Sequence, residues 1–169
     1  MTRRMTSASV IVLAVCLVAI AEPKPNFSGV WVMDRSRTFG QPPNMQQTMA
    51  VTQTEDRIEV ETRLIQADTE RTVKDNYVLD GKEYEFTPPI PANTPPNTPP
   101  QKGKRKANWL PNGNGILVNE EITIETPKGP AITQLMRKWI FTGEGELTIT
   151  TFVDAPDRSY ESKRIFLKK

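Results

Sequence analysis

From Ser28 onward, apolar and polar residues alternate in run after run, the signature of strands with one face buried. Ile58, Val60, Thr62 and Leu64 share one face, and Glu59, Glu61 and Arg63 the other. Val73, Tyr77 and Leu79 alternate with Thr72, Lys74 and Asn76. Ile116, Val118, Ile122 and Ile124 alternate with Asn119, Glu121, Thr123 and Glu125, and Leu147, Ile149, Thr151 and Val153 form a last such row. Nowhere does a helical period persist.

Turn signals separate these runs at short spacing: Glu55-Asp56, Gln66-Ala67-Asp68, Asp80-Gly81, Asn112-Gly113-Asn114-Gly115, Lys128-Gly129-Pro130, Gly143-Glu144-Gly145 and Ala155-Pro156-Asp157. Asp-Gly and Asn-Gly tolerate positive φ and predict hairpins. Connections this short cannot cross over a sheet, so successive strands should pair antiparallel. The pattern predicts an all-β fold, a single antiparallel up-and-down barrel of about 8–10 strands, because closure leaves no exposed edges. Two stretches interrupt it. Ser36 to Asn44 separates the first strand from the second. Thr87 to Gln101 holds seven of the fifteen prolines and the repeat Asn93-Thr94-Pro95-Pro96, Asn97-Thr98-Pro99-Pro100. Such a run cannot join a ladder and is read as an inserted loop. With the basic cluster Lys102-Gly103-Lys104-Arg105-Lys106 it makes a segment, 87–106, suited to contact with a protein or envelope partner.

The first 21 residues read as a secretory signal and not as part of the fold. Arg3 and Arg4 precede an apolar run, Val10 to Ala21, that ends in Ala19-Ile20-Ala21, a cleavage signature before Glu22-Pro23. A cut after Ala21 implies a secreted or periplasmic protein whose domain occupies 22–169. The run is short for a transmembrane span. Removing it takes away the single cysteine, Cys16, and two arginines, leaving 20 basic and 20 acidic side chains. A balanced chain argues against a nucleic-acid partner. With no His and no cysteine left, His-based catalysis, Cys–His pairs and disulfides are excluded.

Charged residues standing on apolar faces are the sharpest chemical clues, because a buried unpaired charge is costly. Glu120 is in register with Val118 and Ile122, Arg137 with Leu135 and Trp139, Arg71 and Asp75 with Val73 and Tyr77, and Arg164 with Tyr160 and Phe166. These faces predict an internal ionic network. Either Glu120 pairs with Arg137, or one guanidinium stays free for a ligand carboxylate.

The stretch Asn26-Phe27-Ser28-Gly29-Val30-Trp31, opening the first strand, resembles the G-x-W signature of the lipocalins and the wider calycin group, which includes the fatty-acid-binding proteins and avidins. Lys163-Arg164-Ile165-Phe166-Leu167 is similar to the final strand of the fatty-acid-binding proteins, where an Arg and a Tyr reach into the cavity. The resemblance implies an outlying, secreted calycin-like barrel holding a small hydrophobic or amphiphilic anion. It implies that Gly29 and Trp31 close the barrel floor. It implies that Arg164 either packs across Trp31, as a late basic residue does in lipocalins, or meets the ligand. The candidate ligand-binding residues are Arg164, Arg137, Tyr77, Tyr84, Trp109 and Phe166, with Phe86, Trp139 and Phe152 as further aromatic lining. Departures from the family are Phe166 in place of Tyr, no disulfide, and no helical lid. The expectation is a monomeric, non-enzymatic binding protein without catalytic residues, cofactor or metal. A filled barrel acting as an interaction module is the alternative, and a carboxylate-dependent enzyme using Glu120 or Asp75 is a third.

Overall fold

The structure, a computed structural model, describes residues 24–67, 69–89, 101–126, 129–143 and 145–169. The signal-like segment 1–21 and most of the proline-rich stretch, residues 90–100, lie outside the described residues. Among the described residues, ten strands follow one another without a helix: β1 (Gly29–Met33), β2 (Gln46–Gln53), β3 (Arg57–Gln66), β4 (Thr69–Val78), β5 (Asp80–Phe86), β6 (Lys102–Trp109), β7 (Gly115–Thr126), β8 (Gly129–Gly143), β9 (Glu146–Ala155) and β10 (Arg158–Lys168). All ladders are antiparallel, in the order β4-β3-β2-β1-β10-β9-β8-β7-β6-β5. The first strand therefore pairs with the last, and the sheet curls into a nearly closed meander barrel.

The predicted faces hold. Ile58, Val60 and Thr62 on β3 are buried between exposed Glu59, Glu61 and Arg63, as are Ile116, Val118 and Glu120 on β7 around exposed Asn119. The basic cluster does not belong to a loop. Lys102–Lys106 lies within β6, where Gly103, Arg105 and Ala107 are buried and Lys102, Lys104 and Lys106 are exposed. Alternation decides this: one of every two residues in a strand must face the core.

The expected Asp80-Gly81 hairpin is also absent, since β4 and β5 are the two edges of the sheet and do not pair. Leu79 is buried at the corner, and its amide donates to the Asp56 carbonyl at 2.7 Å. This pins the corner to the β2–β3 turn and sends β5 away from β4. The barrel thus has one seam without a backbone ladder.

The closed end is packed with aromatic side chains. Phe27, just before β1, is fully buried and meets Trp109, Trp139 and Phe141 at ring-centroid separations of 6.2, 6.0 and 5.1 Å. Its amide donates to Gln53 Oε1, and its carbonyl accepts from Trp31 Nε1, both at 2.8 Å. Trp31 is fully buried, edge-on to Phe141 at 5.5 Å. Lys168 Nζ lies 5.4 Å from the centre of the Trp31 ring. The register places Trp31 opposite Lys168, whereas Arg164 stands four residues away, about 13 Å along the strand. Lys168, and not Arg164, is therefore the basic residue across the first-strand tryptophan. Gly29 has φ +135°, and a Cβ there would come within 2.6 Å of Lys168 Cε. Glycine serves both the backbone path and the passage of that side chain.

Candidate functional site

The inward rows continue past the aromatic floor toward the other end of the barrel, and there they become polar. Arg105 on β6 stands opposite Glu120 on β7, and Val118 opposite Arg137 on β8. Glu120 is 4% exposed and accepts from two guanidinium groups: Arg105 Nε at 2.5 Å through one oxygen, and Arg137 Nη1 through the other. Arg105 then crosses the seam. Its Nη2 meets Asp75 Oδ1 at 2.6 Å and its Nη1 donates to the Asn76 carbonyl at 3.1 Å, both on β4. The guanidinium is held between the rings of Phe86 on β5, 4.0 Å from the centroid, and Tyr77 on β4, 4.6 Å away. Gly103 makes room, because a Cβ there would collide with the Phe86 ring. One buried arginine thus joins the two sheet edges that no ladder joins.

The electrostatics follow from burial and pairing. Burial disfavours the charge of Arg137, but Glu120, then Tyr77 and Asp75, outweigh it and hold its pKa above the ordinary arginine value. Arg105 is raised too, with Tyr77, Glu120 and Asp75 again outweighing burial. Burial, with Asp75 beside it, pushes the Tyr77 hydroxyl up, so it stays protonated.

Arg164 on β10 differs. Its Nη1 donates to Gln47 Oε1 at 2.9 Å, no carboxylate among the described residues pairs with it, and its Nε is buried without a partner. Burial, then the neighbouring Arg137 charge, lower its pKa to about 10, which leaves it cationic at neutral pH. Arg164 faces Ile149 on β9, which faces Trp139 on β8, so the two side chains share one ladder row. Trp139 Nε1 is likewise buried without a partner. Two donors on one interior row are unmatched, in an interior where buried donors are almost always matched. Counted together, Arg105, Arg137 and Arg164 face Asp75 and Glu120, which leaves one positive charge in excess.

The walls beyond this cluster are apolar and partly open. Val73, Ile122, Ile124 and Leu135 all lie on inward rows yet are only half-buried, and Tyr160 is 47% exposed. A side chain that faces the inside of a barrel and still meets solvent marks an open cup. A concavity of about 730 Å³ lies along β5–β10, lined by the outward residues Lys104, Lys106, Gln134, Met136 and Phe152 and also by Arg105, Glu120, Leu135, Val153 and Tyr160 of the inward rows.

Of the residues proposed from sequence, Arg137, Tyr77 and Arg164 converge on this interior. Trp109 and Phe166 instead belong to the floor. Trp109 packs on Phe27, with Lys24 Nζ 4.9 Å from its ring centre, and Phe166, fully buried, stands opposite Met33 and Leu147. Tyr84 sits half-exposed on the edge strand β5 and donates to Asp80 at 2.8 Å. Phe152 faces outward, one residue off the inward row of Thr151 and Val153. Arg105 was missed, although the alternation Gly103, Arg105, Ala107, Trp109 carried the signal. Phe27 was missed as a plug, since it precedes the first strand and no periodicity reaches it. Among the described residues no group of three or more Asp, Glu, His or Cys side chains is placed to hold a metal ion.

No protein-family profile matches this chain, and no curated protein matches it. Solved structures with related folds include zebrafish ileal bile acid-binding protein complexed with cholic acid. That likeness has a TM-score of 0.49 at 15% identity, over 85% of this chain and 98% of the other. They also include secretory abundant heat soluble protein 4 from Ramazzottius varieornatus, with a TM-score of 0.48 at 13% identity, over 84% of this chain and 94% of the other. Neither likeness says what this chain binds.

Proposed function

We propose that this protein binds and carries a small hydrophobic or amphiphilic anion in the open half of its barrel. The head group meets Arg164, with Arg137 behind it, and the apolar part lies along Val73, Ile122, Ile124 and Leu135. The observation that carries this reading is the pair of buried, unmatched donors, Arg164 Nε and Trp139 Nε1, on one inward row. A carboxylate is the natural complement, because it accepts from a guanidinium fork and from a neighbouring N–H at once. Glu120 does not compete for this role, since both its oxygens are engaged by Arg105 and Arg137. The same engagement speaks against Glu120 as a catalytic base. Action outside the cytoplasm is part of the proposal and rests on the signal-like residues 1–21.

Titration calorimetry with hexadecanoate tests the reading. The wild-type chain is expected to bind with a 1:1 stoichiometry, and R164M to bind at least tenfold more weakly, the loss of one charge-assisted contact. The same R164M chain should be as stable as wild type or more so, because it no longer buries a cation without a counter-ion. Absence of binding to hexadecanoate and to other long-chain anions would sink the proposal.

A further inference from the structure

Positive charge inside the barrel does not stop at the Arg105–Glu120–Arg137 cluster. On β4 the inward row reads Arg71, Val73, Asp75, Tyr77, and on β10 it reads Arg158, Tyr160, Ser162, Arg164, Phe166, Lys168. Arg71 lies four residues from Asp75 toward the open end, about 13 Å, and Arg158 six residues from Arg164, about 20 Å. Both are exposed. Arg71 has no ion pair or hydrogen bond among the described residues, and Arg158 meets only the Tyr160 ring, 5.7 Å from its centroid. The neighbouring carboxylate Glu70 points outward and is committed to Arg63. On strands β4, β6, β7, β8 and β10 the inward rows therefore carry five arginines, and Lys168 at the floor, against two carboxylates.

A ligand with one anionic head would leave the outer two arginines without a counter-ion. Along β10 about 20 Å separates a deep anion position at Arg164 from a rim position at Arg158, and Arg71 lies toward the same open end on β4, across β3, β2 and β1. We infer that the ligand is a doubly charged amphiphile, a long-chain α,ω-dicarboxylate or an equivalent chain with an anion at each end. This rests on the carrier reading above and narrows its ligand class. One end is held at Arg164, the chain follows the apolar wall, and the second end is met at the mouth by Arg71 and Arg158.

Calorimetric titration of the full chain with hexadecanoate and hexadecanedioate, equal in length and differing only in the second carboxylate, tests this. The dicarboxylate is expected to bind about fivefold more tightly, the scale of exposed ion pairs. In the R71A/R158A double variant, whose changes lie on exposed positions, hexadecanedioate should fall to the affinity of hexadecanoate. Equal binding of the two ligands by wild type would overturn the inference and leave the carrier reading standing. So would a preference that survives in R71A/R158A. Failure of both ligands to bind would overturn the two together.

Discussion

The two ends of the barrel are built on the same alternation and do opposite things with it. At the closed end, Phe27, Trp31, Trp139, Phe141 and Phe166 fill the interior with rings, and Trp31, Phe27 and Phe166 have no exposed surface. At the open end, the same inward rows carry arginines, two carboxylates and aliphatic residues that stay half in contact with solvent. The floor supplies stability, since burying large apolar side chains is the dominant favourable contribution to folding. The charged half can contribute little net stability, because desolvating ions cancels most of their attraction. What it contributes is arrangement: an arginine that spans the seam, and another whose Nε is buried without a partner.

Substitutions should separate these roles. The largest effect is expected for Trp31→Ala, which opens a cavity in the floor and should cost about 4 kcal/mol of unfolding free energy in urea titration. A cost below about 1 kcal/mol would show that the floor is not where stability resides. Glu120→Gln should come next, at about 3 kcal/mol, because Arg105 and Arg137 then lose their shared carboxylate while staying buried. The comparison sharpens if Glu120, Arg105, Arg137 and Asp75 are all replaced by apolar residues of similar size. Stability should then return to near the wild-type value, and ligand binding should not. A quadruple variant as unstable as Glu120→Gln would mean that the ionic cluster stabilises the fold in its own right.

The smallest effect concerns a surface pair outside both halves. Ser36, then Arg37, donate to the Asp34 carboxyl and lower its pKa from 3.8 to about 2. A carboxyl depressed in the folded state adds stability above its ordinary value, and that contribution is lost as pH falls through the folded one. Asp34→Asn should therefore flatten the loss of stability between pH 3.8 and about 2, and should be less stable than wild type at neutral pH by the contribution that wild type loses in acid. An unchanged slope in acid denaturation would contradict the assignment.

Much of this architecture was legible in the order of the residues. Strand faces, including the inward placing of Glu120, Arg137, Asp75 and Arg164, follow from the period of two alone, because side chains in a strand must alternate. So do the range of about 8–10 strands, of which the structure has ten, and the pairing of most neighbours through short turns. Other features depended on how distant strands meet. Asp80-Gly81 has the chemistry of a hairpin turn, yet β4 and β5 part there because the Leu79 amide is held by Asp56 on another turn. The seam that results is crossed by Arg105, whose partners Glu120 and Asp75 lie 15 and 30 residues away. Whether Lys168 or Arg164 covers Trp31 was a question of register between the first and last strands, which local periodicity does not encode. Local alternation along the chain is enough to say which side chains face inward. Only the tertiary structure decided which inward side chains meet, which arginine is left unmatched, and which end of the barrel stays open, since those depend on pairings between residues far apart in the chain.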